Sequence, residues 1–220
     1  MVSVLANRQT AVRVLNLAWP VVVEQMLGTA VGLLGTYLVG HLGGAALAAV
    51  GLSSQMVMLL TAVFSAVGVG STALIARHIG AGEAQEAEEI AGQSLLLALA
   101  MGLLVAFPCF FWGGDLLRAL GGEPQVTEAG KSYLFAVGTT APLMALLFVG
   151  NAVMRGAGDT RTPMAVMGAV NLVNAIVSWA LIYGVGPLPA VGVLGAGIGS
   201  ASSSAVGGAL ALRALLTGEN

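Results

Sequence analysis

The sequence predicts an all-α integral membrane protein in which one bundle of six membrane-spanning helices occupies residues 1–220. Of these residues, 57% are apolar and only 8% are charged, whereas a soluble domain carries about 25% charged residues to cover itself with solvated side chains. A membrane-spanning helix needs about 20 mostly apolar residues, and six stretches of the chain meet that requirement. The connections between them are short, so we expect a single domain.

The first three helices are predicted at residues 15–40, 47–79 and 87–112. The sequence GHLGGA ends the first, and the second is long enough to project into water before HIGAGEAQEAEE ends it. Glycine-rich and charged stretches of this kind are typical helix ends. The third helix starts among Glu86, Glu88 and Glu89, and acidic residues suit a solvated helix start because they complement the helix dipole.

The last three helices are predicted at residues 126–154, 163–183 and 191–216. The sequences RGAGDTRTP and GVGPLPAVG separate them. The fourth helix contains Pro142, which frees a backbone carbonyl and predicts a kink. The sixth carries Gly195, Gly199, Ser203 and Gly207 at four-residue spacing. This row of small side chains indicates tight packing against another helix, more readily inside the bundle than at a subunit seam.

The basic residues predict the orientation of the bundle, because Lys and Arg resist translocation across the membrane. With the amino terminus inside, Arg118 and Lys131 fall on the outer side. The residues that fall on the inner side are Arg8, Arg13, Arg77, Arg155, Arg161 and Arg213. We therefore expect both termini in the cytoplasm.

Composition and motifs exclude several classes of function. The net charge is −2 and no basic run occurs, which excludes nucleic-acid binding. Cys109 is the single cysteine, and neither His41 nor His78 has a partner at metal-ligand spacing. Because there is also no nucleophile elbow, phosphate loop or carboxylate pair, we expect no metal site, no cofactor and no enzymatic activity.

Glu24 is the one ionisable residue in the middle of a predicted span, and it lies beside Gln25. A charge at bilayer depth costs from about 2.5 kcal/mol upward, so such a residue is a functional candidate by default. Gly28, Gly32 and Gly35 follow at helical spacing and would let another helix approach closely, so we expect Glu24 to face the interior or a cavity. It is either a proton or cation site, a neutral structural glutamic acid bonded to a neighbour, or a residue that lies nearer the membrane surface.

Neutral polar residues supply the other candidates. Asn171, Asn174 and Ser178 share one face of the fifth helix, while Gln55 and Asn151 are lone polar groups. In a membrane, such groups join helices more often than they contact a ligand. The candidate substrate- or cation-binding residues are Glu24, Gln25, Gln55, Asn151, Asn171, Asn174 and Ser178.

Several blocks of sequence are similar to those of a known family. LLGTYLVGHLGGAALAAVGLS begins at Leu33, FSAVGVGSTALIARHIGAGE begins at Phe64, and MRGAGDTRTPM begins at Met154. NLVNAIVSWALIYG and VGVLGAGIGSA follow them. In order and spacing these blocks resemble the amino-terminal half of the multidrug and toxic compound extrusion (MATE) family. They cover nearly the whole chain.

The resemblance implies a secondary antiporter of the plasma membrane that exports small organic cations or amphipathic compounds in exchange for protons or sodium ions. Family members have twelve helices in two six-helix lobes and work by alternating access at a cavity between the lobes. No second copy of the blocks follows in this chain, so it corresponds to one lobe. We expect the second lobe from a homodimer, a separate partner chain or a missing carboxy-terminal half.

Two other interpretations stay open. The chain could be a non-transporting remnant or fragment that serves as a membrane assembly partner, or a lipid flippase of the wider superfamily. A flippase for anionic lipid carriers needs a cationic cavity, whereas the predicted spans contain no central Lys or Arg. The sequence therefore favours the exporter over the flippase.

The chain departs from the family at two positions. Many prokaryotic members carry an aspartate just before the residue that matches Thr36 and another in the fifth helix, where this chain has Gly35 and Ser178. Asn174 matches a polar member of that site. The resemblance therefore leaves the coupling ion open, with Glu24 taking over the ionisable role, or with coupling located elsewhere or lost.

Overall fold

The computed structural model describes residues 8–218, and these residues form helices and no strand. The helices are α1 (Arg8–Gly40), α2 (Gly44–Ala81), α3 (Ala84–Phe111), α4 (Gly113–Ala119), α5 (Pro124–Gly156), α6 (Arg161–Tyr183) and α7 (Val193–Thr217). Six of them are long and apolar enough to cross a membrane. The prediction of an all-α bundle with six membrane spans is confirmed.

The short helix α4 is the one element that the sequence did not predict. Its seven residues lie in the connection between the third and fourth spans. Leu117 is fully buried there, so this connection folds back onto the bundle and covers the start of α5. Seven residues are too few to cross a membrane.

Helix α5 is the centre of the lobe. It packs against α2, α3 and α7, and 61% of its most apolar stretch is buried. Its buried side chains Leu134, Val149 and Val153 meet residues such as Phe64 and Ile75 of α2 in the main hydrophobic core. Helix α1 lies at the edge, against α6 and α2, and only 6% of its most apolar stretch is buried.

Helix α7 approaches its neighbours closely along its row of small residues. A Cβ atom on Gly195 would lie 2.7 Å from the backbone of Leu181 in α6. A Cβ atom on Gly199 would overlap Ser178, which also belongs to α6. Two helix backbones can approach this closely because glycine has no side chain between them. The expected packing of this row inside the bundle is therefore confirmed.

The glycines of α1 behave differently. Cβ atoms placed on Gly28, Gly32 and Gly35 would have no atom of another element within 4 Å. The close contact with another helix that the sequence predicts for this row is therefore not made within the described part of the lobe. The row is an open surface.

We expect Gly102→Ala to destabilise the lobe by about 1–3 kcal/mol, the usual cost of overpacking a tight core. Gly102 of α3 is buried, and a Cβ atom there would overlap the backbone of Pro142 in α5, which cannot rotate away as a side chain could. Thermal unfolding of the purified protein in detergent would measure the loss.

Gly92→Ala is the matched control for this substitution. Gly92 lies in the same helix and has open space around its Cβ position, and alanine favours a helix over glycine. The control should leave the melting temperature unchanged or raise it slightly. Equal losses from both substitutions would contradict the packing argument.

Candidate functional site

A polar cavity of about 260 Å³ lies between α1, α2, α5, α6 and α7. Its wall includes the open face of α1, at Gly32 and Gly35, and apolar residues such as Val39 and Ile182. Its polar lining comprises Thr36, Ser54, Tyr133, Asn171, Asn174, Ser178, Ser200 and Ser203. These groups supply hydroxyl and amide atoms, and no lining residue carries a formal charge at neutral pH.

Hydrogen bonds join three helices at this cavity. The Asn174 side-chain amide donates to Ser200 Oγ at 3.3 Å and to Ser203 Oγ at 3.4 Å. The hydroxyls of Tyr133 and Ser200 are 3.3 Å apart, and Ser203 Oγ donates to the Ser200 carbonyl at 2.9 Å. The network therefore links α5, α6 and α7 and fixes the amide of Asn174 at the cavity wall.

Asn171 provides a polar group that the described chain does not satisfy. The residue is 9% exposed and lines the cavity, and its Nδ2 has no hydrogen-bond partner among the described residues. A buried polar group left unpaired costs about 1–3 kcal/mol. Asn171 therefore places a buried amide nitrogen without a partner among the described residues at the wall of the cavity.

Three of the residues proposed from the sequence meet at this cavity. Asn171 and Asn174 line it from α6, one turn apart, and Ser178 lines it one turn further on. Ser178 is also buried against α7 at Gly199. It therefore combines a place in the cavity wall with a role in helix packing.

The other four proposed residues lie elsewhere. Gln25 and Gln55 are exposed on the surface of the lobe, and neither lines the cavity. Asn151 is 2% exposed within α5, and its Oδ1 has no partner among residues 8–218. Glu24 is paired with an arginine.

Glu24 and Arg155 form an ion pair that joins α1 to the last turn of α5. One guanidinium nitrogen of Arg155 donates to both carboxylate oxygens of Glu24 at 3.1 Å. The side chains are only 15% exposed for Glu24 and 29% for Arg155. Glu24 is therefore level with a helix end rather than the middle of the bundle. The structure thus gives Glu24 a charged neighbour, and its role in binding or coupling stays a prediction.

Several residues of the cavity were not singled out from the sequence. Tyr133, Ser200 and Ser54 come from three different helices, and Ser203 was interpreted as a packing residue. The available signal was the spacing of three between Ser200 and Ser203, which places both hydroxyls on one face of α7. Small polar residues in a glycine-rich helix are so often packing residues that this spacing alone does not indicate a cavity.

Comparison with known proteins places the chain among membrane transporters. The MatE family matches residues 20–180. A probable multidrug resistance protein NorM from Thermotoga maritima is 33% identical over 195 residues, which are 88% of this chain and 42% of the relative. An FAD transporter from Shewanella oneidensis is 29% identical over 184 residues, which are 84% of this chain and 41% of the relative.

Solved structures with a similar fold belong to the same family. A solved outward-facing structure of a multidrug resistance MATE family transporter superposes with a TM-score of 0.87 at 27% identity, covering 94% of this chain and 45% of that structure. The chain thus spans less than half the length of the proteins that it matches.

Proposed function

The chain belongs to the MatE family, whose members are membrane transporters and not enzymes, and on that premise we propose that its six-helix lobe works in a secondary multidrug exporter. In this proposal the exporter moves small organic cations or amphipathic compounds out of the cell in exchange for protons or sodium ions. The lobe lies in the plasma membrane with both termini in the cytoplasm. The polar cavity beside α1 is the observation that carries the proposal.

The lining of the cavity is suited to the reversible binding of a substrate and a coupling ion. The amides of Asn171 and Asn174 and the hydroxyls around them offer both donors and acceptors without a fixed charge. A cationic guest would be held by these oxygens and would not be neutralised by a permanent carboxylate. Export then requires that guest and coupling ion bind the inward-open and outward-open states with different affinities, because a ligand that binds both states equally shifts neither.

The proposal includes a second lobe. Six spans bring the two ends of the chain to the same side of the membrane, so two copies can lie parallel around a two-fold axis. The open glycine row of α1 and the low burial of that helix leave a surface for a neighbour on the side of the cavity. A homodimer, a partner chain or a carboxy-terminal continuation would each supply the second wall.

The coupling ion has two candidate locations. Hydroxyl and amide oxygens of the kind that line the cavity are ligands that hard cations accept, which suits sodium. A proton needs a titratable group, and the cavity has Gly35 and Ser178 at the positions where many family members carry aspartate. Glu24 is the nearest candidate along α1, provided that Arg155 releases it during the cycle.

Reconstituted vesicles provide the test. We impose an inward gradient of protons in one experiment and of sodium ions in another, and we expect the protein to expel a fluorescent organic cation under only one of the two gradients. Empty vesicles and vesicles without a gradient are the controls. Native mass spectrometry on the same preparation should show a species of twice the 21.9 kDa chain if the second lobe is another copy.

Each alternative predicts a different result. A well-folded lobe that assembles but never moves the cation under either gradient would support the non-transporting interpretation. Movement of a lipid analogue instead of the cation would support the flippase, although the described residues place no Lys or Arg in the cavity lining.

A further inference from the structure

A second and larger cavity lies between the beginning of α6 and the end of α7. Its volume is about 470 Å³. It is lined by Arg161, Thr162, Ala165, Val166, Leu210, Arg213, Ala214 and Thr217. We refer to these eight residues as the α6–α7 groove. It shares Val166, Leu210 and Ala214 with the hydrophobic core beside it, and none of its eight residues lines the polar cavity described above.

The rim of the groove is cationic. Arg161 and Arg213 are both exposed and belong to two different helices, and neither forms an ion pair with any of residues 8–218. Among residues 8–218, no acidic side chain lines the groove. Asp159 is the nearest carboxylate along the chain, and its Oδ1 accepts hydrogen bonds from the backbone N–H groups of Arg161 and Thr162. It therefore caps α6.

The walls of the groove become apolar about one helical turn beyond the two arginines, away from the helix ends. Because α6 starts where α7 ends, Ala165 and Val166 on one helix and Leu210 on the other lie further from the helix ends than the two arginines do. The groove thus combines two positive charges and threonine hydroxyls at the membrane surface with small apolar side chains toward the membrane interior. An inorganic anion would use the rim alone, and an organic cation would be repelled by it.

We propose that the α6–α7 groove binds an anionic phospholipid, with the headgroup phosphate between Arg161 and Arg213 and an acyl chain against Val166 and Leu210. Guanidinium groups are well matched to phosphate oxygens. Basic pockets between membrane helices bind anionic headgroups in the same way. The lipid would thereby join the beginning of α6 to the end of α7.

Native mass spectrometry tests the site on the purified protein in mild detergent, titrated with phosphatidylglycerol. Each arginine near an anionic headgroup contributes roughly fivefold in affinity. The double variant R161Q/R213Q is therefore expected to bind phosphatidylglycerol roughly 30-fold more weakly. R77Q removes one arginine that is exposed at the same end of the bundle and does not line the groove, and it should bind as the wild type does.

A second variant keeps the charge and fills the groove. Ala165 is exposed and lines the wall, so A165F should fold normally and still weaken lipid binding. Phosphatidylcholine and millimolar inorganic phosphate are tested as competitors, to distinguish an anionic lipid from a zwitterionic lipid and from free phosphate. Neither should compete with phosphatidylglycerol if both the charge and the acyl chain are needed.

Three results would overturn the proposal. Undiminished phosphatidylglycerol binding by R161Q/R213Q would show that the lipid binds elsewhere. An equal loss of phosphatidylglycerol binding in R77Q would show that binding depends only on the total positive charge at this end of the bundle. Displacement of the lipid by inorganic phosphate alone would identify an anion site without an acyl chain.

Discussion

Replacing Glu24 with glutamine is expected to destabilise the lobe and to abolish ion-coupled export. The substitution leaves the guanidinium of Arg155, which is 29% exposed, without either carboxylate contact. Removing one partner of a shielded ion pair leaves the other charge uncompensated, which generally costs more than removing both partners. Thermal unfolding in detergent and export of a fluorescent cation from vesicles measure the two effects.

A second substitution separates the structural role of Glu24 from a role in coupling. In Glu24→Gln/Arg155→Gln no unpaired charge is left, so stability should return close to that of the wild type. Export should stay absent if Glu24 carries the proton, and should return if the pair only ties α1 to α5. The double variant alone decides between these roles.

Glu83→Gln is the matched control for Glu24→Gln. The Glu83 carboxylate also has a side-chain partner at this end of the bundle, because its Oε2 lies 2.7 Å from Nδ1 of His78. The Glu83 side chain, however, is 54% exposed. Pairs exposed to solvent contribute about 0–1 kcal/mol, so both stability and export should be preserved. Glu24→Gln with unchanged stability and unchanged export would remove Glu24 from both the fold and the mechanism.

Asn174→Leu is expected to lower export by about 10- to 150-fold, because a hydrogen bond to a charged group is worth about 1.5–3 kcal/mol. The substitution removes the amide that faces the cavity and replaces it with an apolar branch of similar size. The fold should lose less, since Ser200 keeps Tyr133 as a partner and Ser203 keeps the Ser200 carbonyl. Initial export rates and the melting temperature, measured on one preparation, distinguish the two effects.

Gln55→Leu is the matched control for this prediction. It exchanges the same kinds of side chain in a membrane helix, but Gln55 is exposed and does not line the cavity. Export should be unaffected. If Gln55→Leu lowered export as much as Asn174→Leu, the cavity would not be the binding site.

The helices and the family were predictable from the sequence because their signals are local. A run of about 20 apolar residues has no stable alternative to a helix in a membrane, where every backbone hydrogen bond must be made within the segment. The six spans were predicted for that reason, and the motifs around Leu33, Phe64 and Met154 indicated the family that the comparison showed. The short helix α4 was missed because its seven residues carry too little periodicity to indicate a helix.

Helical spacing also determined which residues share a face. Asn171, Asn174 and Ser178 were grouped in this way, and the structure brings all three to one cavity. The row from Gly195 to Gly207 was likewise assigned to packing within the bundle, where it lies against α6 and α5.

Only the tertiary structure decided what each face meets. Asn174 bonds to Ser200 across 26 positions of the sequence, and Glu24 bonds to Arg155 across 131. Spacing along one helix fixes a direction around its axis, but the partner depends on how neighbouring helices are rotated and how deeply they are set, and that depends on packing throughout the bundle. For this reason two similar glycine rows have opposite surroundings: the one on α7 is enclosed and the one on α1 is open.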